Sequence, residues 1–120
     1  MSKKILVVED DPVQQQHICN VLSAVDAEII LAANGQQGVA RALAEKPDLI
    51  LMDVVMPEVD GFAACRQITT GEETREIPVV IVSSKNQEAD KVWAQLQGAK
   101  AMLAKPFSDQ ELMDQVNAFL

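Results

Sequence analysis

Five side chains that are able to take part in metal or phosphoryl chemistry each follow a short apolar run of the sequence. They are Glu9, Asp10, Asp53, Ser83 and Lys105. An apolar run without polar alternation is typical of a strand that is buried on both faces of a parallel sheet. Because such sheets carry their chemistry at the carboxyl ends of the strands, we expect the five side chains to meet at one edge of the sheet.

The residue types at that edge indicate phosphoryl transfer. The carboxylates of Glu9, Asp10 and Asp53 would repel each other in one crevice unless a cation or water compensates their charge. Oxygen ligands of this kind suit Mg²⁺, which often bridges to a phosphate. Ser83 could orient a phosphoryl group and Lys105 could neutralise its charge, while Asp53 attacks and becomes an aspartyl phosphate. The predicted chemistry is therefore phosphorylation of Asp53 with Mg²⁺ as cofactor.

Strand and helix patterns alternate five times along the chain. The predicted strands cover residues 4–8, 28–32, 49–53, 79–82 and 101–104. Helix N-caps are predicted at Asp11, Asn34, Asp60 and Ser108. Short connections and right-handed crossovers predict an α/β fold, with a doubly wound five-stranded parallel sheet in the order 2-1-3-4-5 between two layers of helices.

Length and composition limit the possible classes of protein. The 120 residues predict a single domain over 1–120 with no effector domain, and 48% hydrophobic residues predict a folded chain. The net charge of −8 argues against binding to the phosphate backbone of nucleic acids. No apolar run approaches the ~20 residues of a membrane-spanning helix, and the first apolar run is too short for a signal peptide. We therefore expect a cytoplasmic protein that contacts neither nucleic acid nor membrane.

Trp93 is the only tryptophan, and the fourth predicted helix places it on one stripe with Ala89, Val92 and Leu96. Packing into the core is the commoner explanation of such a stripe. The alternative is that Trp93 is an exposed anchor for a partner protein, because tryptophan is favoured at interface hot spots.

Beyond these patterns, the chain resembles the response-regulator receiver domain, the CheY-like family of two-component signalling, over essentially its whole length. The matching segments read ILVVED at 5–10, LMDVVMP at 51–57, DG at 60–61, VSS at 82–84 and KPF at 105–107. The segments 84–93 and 97–99 are similar to those of single-domain regulators of twitching motility by type IV pili. The resemblance implies the flavodoxin-like, three-layer fold that the alternation also predicts.

The resemblance implies a phosphoryl donor and a metal site. Asp53 would take its phosphoryl group from the phosphohistidine of a histidine kinase. Asp10, Asp53 and the backbone carbonyl of Val55 would bind Mg²⁺, and Glu9 would hold the ion through water. Since an apolar Val55 cannot hydrogen-bond an attacking water, we expect slow loss of the phosphoryl group.

The same resemblance implies how the phosphoryl group is held and read. Ser83 and Lys105 would contact its oxygens, and the peptide bond between Lys105 and Pro106 would be cis. Many members of the family carry an aromatic switch residue where this chain has Met102. A downstream effector protein would dock on the face made by the fourth helix, the fifth strand and the fifth helix, and phosphorylation would shift the equilibrium between two states of that face.

Other functions remain open on this sheet layout. A receiver domain is not an enzyme for an external substrate and catalyses only its own phosphorylation and dephosphorylation. The alternative is an aspartyl-phosphate-forming hydrolase, but such enzymes commonly carry a second aspartate where this chain has Val55. A nucleotide or flavin binder is disfavoured because the sequence has neither a G-x-G-x-x-G nor a P-loop motif. A receiver that only binds, without taking phosphate, is disfavoured by the intact site residues.

Overall fold

A computed structural model of the chain describes residues 3–53, 61–84 and 88–120. The strands are β1 (Lys3–Val8), β2 (Ala27–Ala32), β3 (Leu49–Asp53), β4 (Val79–Ser83) and β5 (Ala101–Ala104). The helices are α1 (Pro12–Leu22), α2 (Gly35–Glu45), α3 (Gly61–Thr70), α4 (Glu88–Leu96) and α5 (Asp109–Phe119). The strands form one parallel sheet in the order β2-β1-β3-β4-β5, which confirms the predicted fold class and strand order.

The core lies on both faces of the sheet, because alternate residues of a strand point to opposite sides. One buried cluster joins the sheet to α2, α3 and α4 and includes Leu6, Ile50, Ala42, Cys65 and Ala94. The other joins the sheet to α1 and α5 and includes Ile5, Leu51, Ile18 and Leu112. Every residue of β3 and β4 is buried, as expected for unbroken apolar runs in the centre of a three-layer structure.

The register of the sheet brings the carboxyl ends of neighbouring strands to one edge. Asp53 at the end of β3 pairs with Val82 of β4, and Ser83 at the end of β4 pairs with Ala104 of β5. Polar residues that follow the strands are therefore concentrated at that edge.

Local capping fixes where the helices begin. Three of the predicted N-caps are confirmed, namely Asp11, Asn34 and Ser108. The carboxylate of Asp11 accepts a hydrogen bond of 3.0 Å from the backbone N–H of Val13. Ser108 and Glu111 form the reciprocal capping box, with 3.0 Å in each direction. The fourth predicted cap, Asp60, lies outside the described residues.

The expectation that Trp93 packs into the core is wrong. Trp93 is 51% exposed, and its stripe neighbours Val92 and Leu96 are 49% and 60% exposed. The residue of α4 that enters the core is Ala94, which is 2% exposed. α4 contacts the edge strand β5, and Ala94 is its member of the buried cluster, so the bulky side chains of the stripe lie on the side of α4 that faces away from that cluster.

None of the helices in the described ranges combines the length and the apolar character that a crossing of a lipid bilayer requires.

Candidate phosphoryl-acceptor and metal site

The candidate site lies where β1, β3, β4 and β5 leave the sheet. Glu9 follows β1, and its backbone N–H donates to the carbonyl of Ala32 at 3.0 Å. Asp53 and Ser83 are the last residues of β3 and β4. Lys105 follows β5, and its backbone N–H donates to the carbonyl of Ser83 at 2.9 Å. Backbone hydrogen bonds of the sheet therefore fix the positions of these side chains.

The carboxylates of Glu9, Asp10 and Asp53 form a compact acidic cluster. One carboxylate oxygen of each lies within 4.8 Å of the other two. Glu9 and Asp53 are buried, whereas Asp10 is exposed, so the cluster is open to solvent on one side. This donor set fits Mg²⁺, which takes oxygen ligands and keeps part of its water shell. The proposed further ligand, the carbonyl of Val55, lies outside the described residues.

Lys105 bridges the two buried carboxylates of the cluster. Its Nζ lies 2.9 Å from Oε1 of Glu9 and 3.4 Å from Oδ2 of Asp53. Burial lowers the pKa of Lys105, but the hydrogen bonds and negative charges of Glu9 and Asp53 outweigh it and leave the pKa above its ordinary value. The amine is therefore positively charged at neutral pH and lies beside the proposed acceptor oxygen.

The surroundings of Glu9 change its acidity. Burial of its carboxyl group, helped by the hydrogen bond to Asp53 and the negative charge there, raises the pKa of Glu9 to about 7. Lys105 acts in the opposite direction but does not cancel these effects. Near neutral pH a proton therefore occupies Glu9 for part of the time, and a bound cation would compete with that proton.

Two contacts of Glu9 were not predicted from the sequence. The side-chain amide of Gln15, one turn into α1, donates to the backbone carbonyl of Glu9. The backbone N–H of Asp11 donates to Oε2 of Glu9 at 3.3 Å. Nothing in the sequence pattern marks Gln15, because a glutamine on the first turns of a helix is usually only solvated.

A cavity of about 290 Å³ adjoins the site beside Lys105. It is lined by Gln14, His17, Ser84, Lys105, Pro106 and Phe107. The peptide bond between Lys105 and Pro106 is cis, as the family resemblance implied. His17 is half exposed, with its Nε2 3.9 Å from Oδ1 of Asp109, and it lies at the rim of the cavity rather than among the carboxylates.

Comparison with known proteins identifies the family. The sequence model of the response regulator receiver domain family matches residues 5–117, and the chain therefore belongs to that family. Protein PilH of Pseudomonas aeruginosa PAO1 is 45% identical over 117 residues, which cover 98% of this chain and 97% of PilH. Two transcriptional regulators at 34% and 35% identity are longer, and the chain spans 48% and 49% of their lengths.

Solved structures give the same assignment. The chemotaxis protein CheY4 of Vibrio cholerae superimposes with a TM-score of 0.93 at 25% identity, over 100% of both chains. The receiver domain of the sensor histidine kinase PA1611 of P. aeruginosa superimposes with a TM-score of 0.90 at 33% identity, over 99% of this chain and 98% of that one. That structure has a magnesium ion coordinated in its active-site cleft.

Membership of the family has general consequences. Receiver domains are signalling domains that bind Mg²⁺ at an acidic site, and this chain has such an acidic cluster. The family also implies interaction with a histidine kinase and with downstream effectors.

Proposed function

We propose that this response regulator accepts a phosphoryl group on Asp53 from the phosphohistidine of a histidine kinase, in a Mg²⁺-dependent reaction. The observation that carries the proposal is the arrangement around Asp53. Its carboxylate lies in an acidic cluster with oxygens within 4.8 Å of one another, and the ammonium group of Lys105 lies 3.4 Å from Oδ2. An acceptor oxygen, a cation site and a fixed positive charge are thus combined at one edge of the sheet.

In the proposed transfer, a carboxylate oxygen of Asp53 forms a bond to phosphorus while the phosphorus–nitrogen bond to the imidazole of the kinase breaks. The electron pair of that bond stays with the imidazole nitrogen, which then takes up a proton. The anionic acceptor and the anionic phosphoryl group repel each other, so positioned positive charge is the main contribution that the protein can make.

Each remaining site residue has a role in this proposal. Glu9, Asp10, Asp53 and, by family resemblance, the carbonyl of Val55 would hold Mg²⁺, which when bound supplies positive charge to the phosphoryl oxygens. Lys105 already contacts the acceptor carboxylate and would contact a phosphoryl oxygen after transfer. Ser83, at the end of β4, would donate its hydroxyl hydrogen to another phosphoryl oxygen.

Incubation with acetyl phosphate and Mg²⁺, followed by intact mass measurement, tests the proposal. We expect one added phosphoryl group on the wild type and none on Asp53→Asn. Asp26→Asn is the matched control, because Asp26 is an exposed aspartate outside the site. Phosphorylation of Asp53→Asn to the wild-type level, or phosphorylation of wild type without any divalent cation at an equal rate, would contradict it.

We extend the proposal to signalling. The effector would dock on the face made by α4, β5 and α5, where a cavity of about 300 Å³ includes Lys91, Lys100 and Met102 in its lining. Identity of 45% to PilH over nearly all of both chains supports a role in twitching motility by type IV pili. Because a phosphohistidine donor is formed from ATP in the cytoplasm, the proposal places the chain there.

Turnover of an external substrate is the competing function, and release of inorganic phosphate distinguishes it. Both functions would pass through an aspartyl phosphate on Asp53, so the two are distinguished by the donors that they accept: a receiver takes its phosphoryl group from phosphohistidine or a reactive donor such as acetyl phosphate. We expect release from simple phosphate monoesters to stay at the level of an Asp53→Asn control. Multiple turnovers of a phosphate monoester that depend on Asp53 would instead support the hydrolase.

A further inference from the structure

A groove runs between α3 and α4, on helices that contribute none of the five site residues. The α3–α4 groove is lined by Phe62, Ala63, Arg66, Gln67, Trp93 and Gln97 and has a volume of about 420 Å³. The rings of Phe62 and Trp93 meet edge to face, with centroids 6.3 Å apart and an interplanar angle of 79°. Two aromatic surfaces therefore line one open cleft.

The groove is held in shape by side chains of α3 that bind the end of α4. The guanidinium of Arg66 donates to the carbonyl of Leu96 at 3.2 Å, and the hydroxyl of Thr69 donates to the carbonyl of Gln97 at 2.6 Å. Gly98 follows with a φ of 90°, and a Cβ there would lie 2.6 Å from Oγ1 of Thr69. A groove fixed in this way loses little conformational freedom when a ligand binds, which favours affinity.

The charge of the groove differs from that of the whole molecule. Among the described residues that line the groove, Arg66 is the only ionisable one, whereas the chain as a whole has a net charge of −8. A guanidinium has five N–H donors, and a carboxylate is the group that matches its geometry best. Tryptophan and arginine are also the residue types most often found at interface hot spots, and here they line the same cleft.

From these observations we propose that the α3–α4 groove binds an acidic amphipathic helix of a partner protein. An apolar side chain of that helix enters beside Phe62 and Trp93, and a carboxylate pairs with Arg66. This is the helix-in-groove mode of recognition, with the exposed Leu96 extending the apolar surface along α4. The other possible occupant, a second copy of this chain, is distinguished by the sedimentation experiment below.

A synthetic helix provides the test. The probe is a peptide of about 18 residues, long enough to form a helix, with leucine on one face, glutamate on the other and no tryptophan. The control peptide has the same sequence with lysine in place of every glutamate. Since Trp93 is the only tryptophan, its fluorescence reports occupation of the groove directly, and calorimetry gives the affinity. We expect the acidic peptide to shift the emission and to bind more tightly than the basic one, although long-range attraction to this acidic protein favours the basic one.

Variants locate the binding site. We expect Arg66→Gln to lower the affinity for the acidic peptide roughly tenfold, and Trp93→Ala to lower that affinity at least as much. Arg75→Gln changes the net charge equally at an exposed residue outside the groove, and we expect it to leave the affinity unchanged. Arg66→Lys keeps the positive charge and should retain part of the binding. Circular dichroism melting checks that each variant is folded.

Several results would overturn the proposal. They are equal affinity for the two peptides, no change in Trp93 emission, equal effects of Arg66→Gln and Arg75→Gln, or sedimentation showing that the groove is instead closed by a second copy. The proposal does not rest on phosphorylation of Asp53. Titrations without phosphodonor, with Asp53→Asn in parallel, should give the same affinity, so failure here and failure of the acceptor role can be told apart.

Discussion

Acidification should weaken the binding of Mg²⁺ to the acceptor site, because Glu9 takes up a proton. Burial and the neighbouring carboxylate of Asp53 raise the pKa of Glu9 to about 7. A group with that pKa is about 90% ionised at pH 8 and about 10% ionised at pH 6. If the cation binds only the ionised form, its affinity falls about tenfold over this range, and binding at pH 7 releases about half a proton.

Titration calorimetry in two buffers of different ionisation enthalpy measures both quantities. Glu9→Gln is the informative variant, since it keeps the shape of the side chain and cannot titrate. We expect it to bind Mg²⁺ more weakly than wild type at pH 8, with little dependence on pH. Affinity of the wild type that is constant from about pH 6 to about pH 8, with no proton release, would refute the reasoning about Glu9.

The raised pKa of Glu9 also determines how folding depends on pH in the absence of Mg²⁺. Between the ordinary value of 4.5 and about 7, the folded state binds more protons at Glu9 than the unfolded state does. The contribution of Glu9 to the free energy of unfolding is therefore largest below 4.5 and is lost as the pH rises toward about 7. Added Mg²⁺ should restore stability above pH 7, because it binds only the folded site.

Three further substitutions test the packing around the site and the helices. Lys105→Met leaves two buried carboxylates without their cation and should lower the free energy of unfolding by about 1–3 kcal/mol in urea titrations, more at pH 8 than at pH 6; equal losses at both pH values would contradict this. Thr69→Val removes the donor to the end of α4 and should cost about 1–3 kcal/mol with faster amide exchange in the last turn of α4, whereas Thr70→Val, whose hydroxyl bonds within α3, should cost less. Ser108→Ala breaks the capping box of α5 and should cost about 0.5–2 kcal/mol in thermal or urea unfolding, and an unchanged midpoint would argue against the cap.

The strand order was predictable because it depends on patterns that the sequence carries directly. Apolar runs mark the central strands, and capping residues such as Asp11 and Ser108 mark helix starts. The ends of the strands differ by one residue from prediction in β1, β2 and β4, which begin at Lys3, begin at Ala27 and end at Ser83. Those terminal residues owe their conformation to pairing with a neighbouring strand, which the local sequence does not encode.

The orientation of α4 was not predictable from periodicity. A repeat of apolar residues defines a stripe on a helix but does not say whether the protein core or a partner covers it. Here the core takes Ala94, and Trp93 remains half exposed. The ion pair between Lys105 and Glu9 could not be predicted from the sequence either, because it depends on how two side chains from distant strands are placed in three dimensions.

The charges at the candidate site explain why the proposed phosphorylation would need both a metal and a fixed amine. Three carboxylates and the ammonium of Lys105 leave a net charge of −2 if all are ionised, and burial of Glu9 beside the negative charge of Asp53 raises the pKa of Glu9. Converting Asp53 to an aspartyl phosphate adds further negative charge at the same place. Lys105 cannot neutralise this alone while it also pairs with Glu9 at 2.9 Å. A divalent cation would both displace the proton from Glu9 and leave Lys105 free to contact the phosphoryl group, so loss of Mg²⁺ should impair phosphorylation more severely than loss of the Glu9 carboxylate.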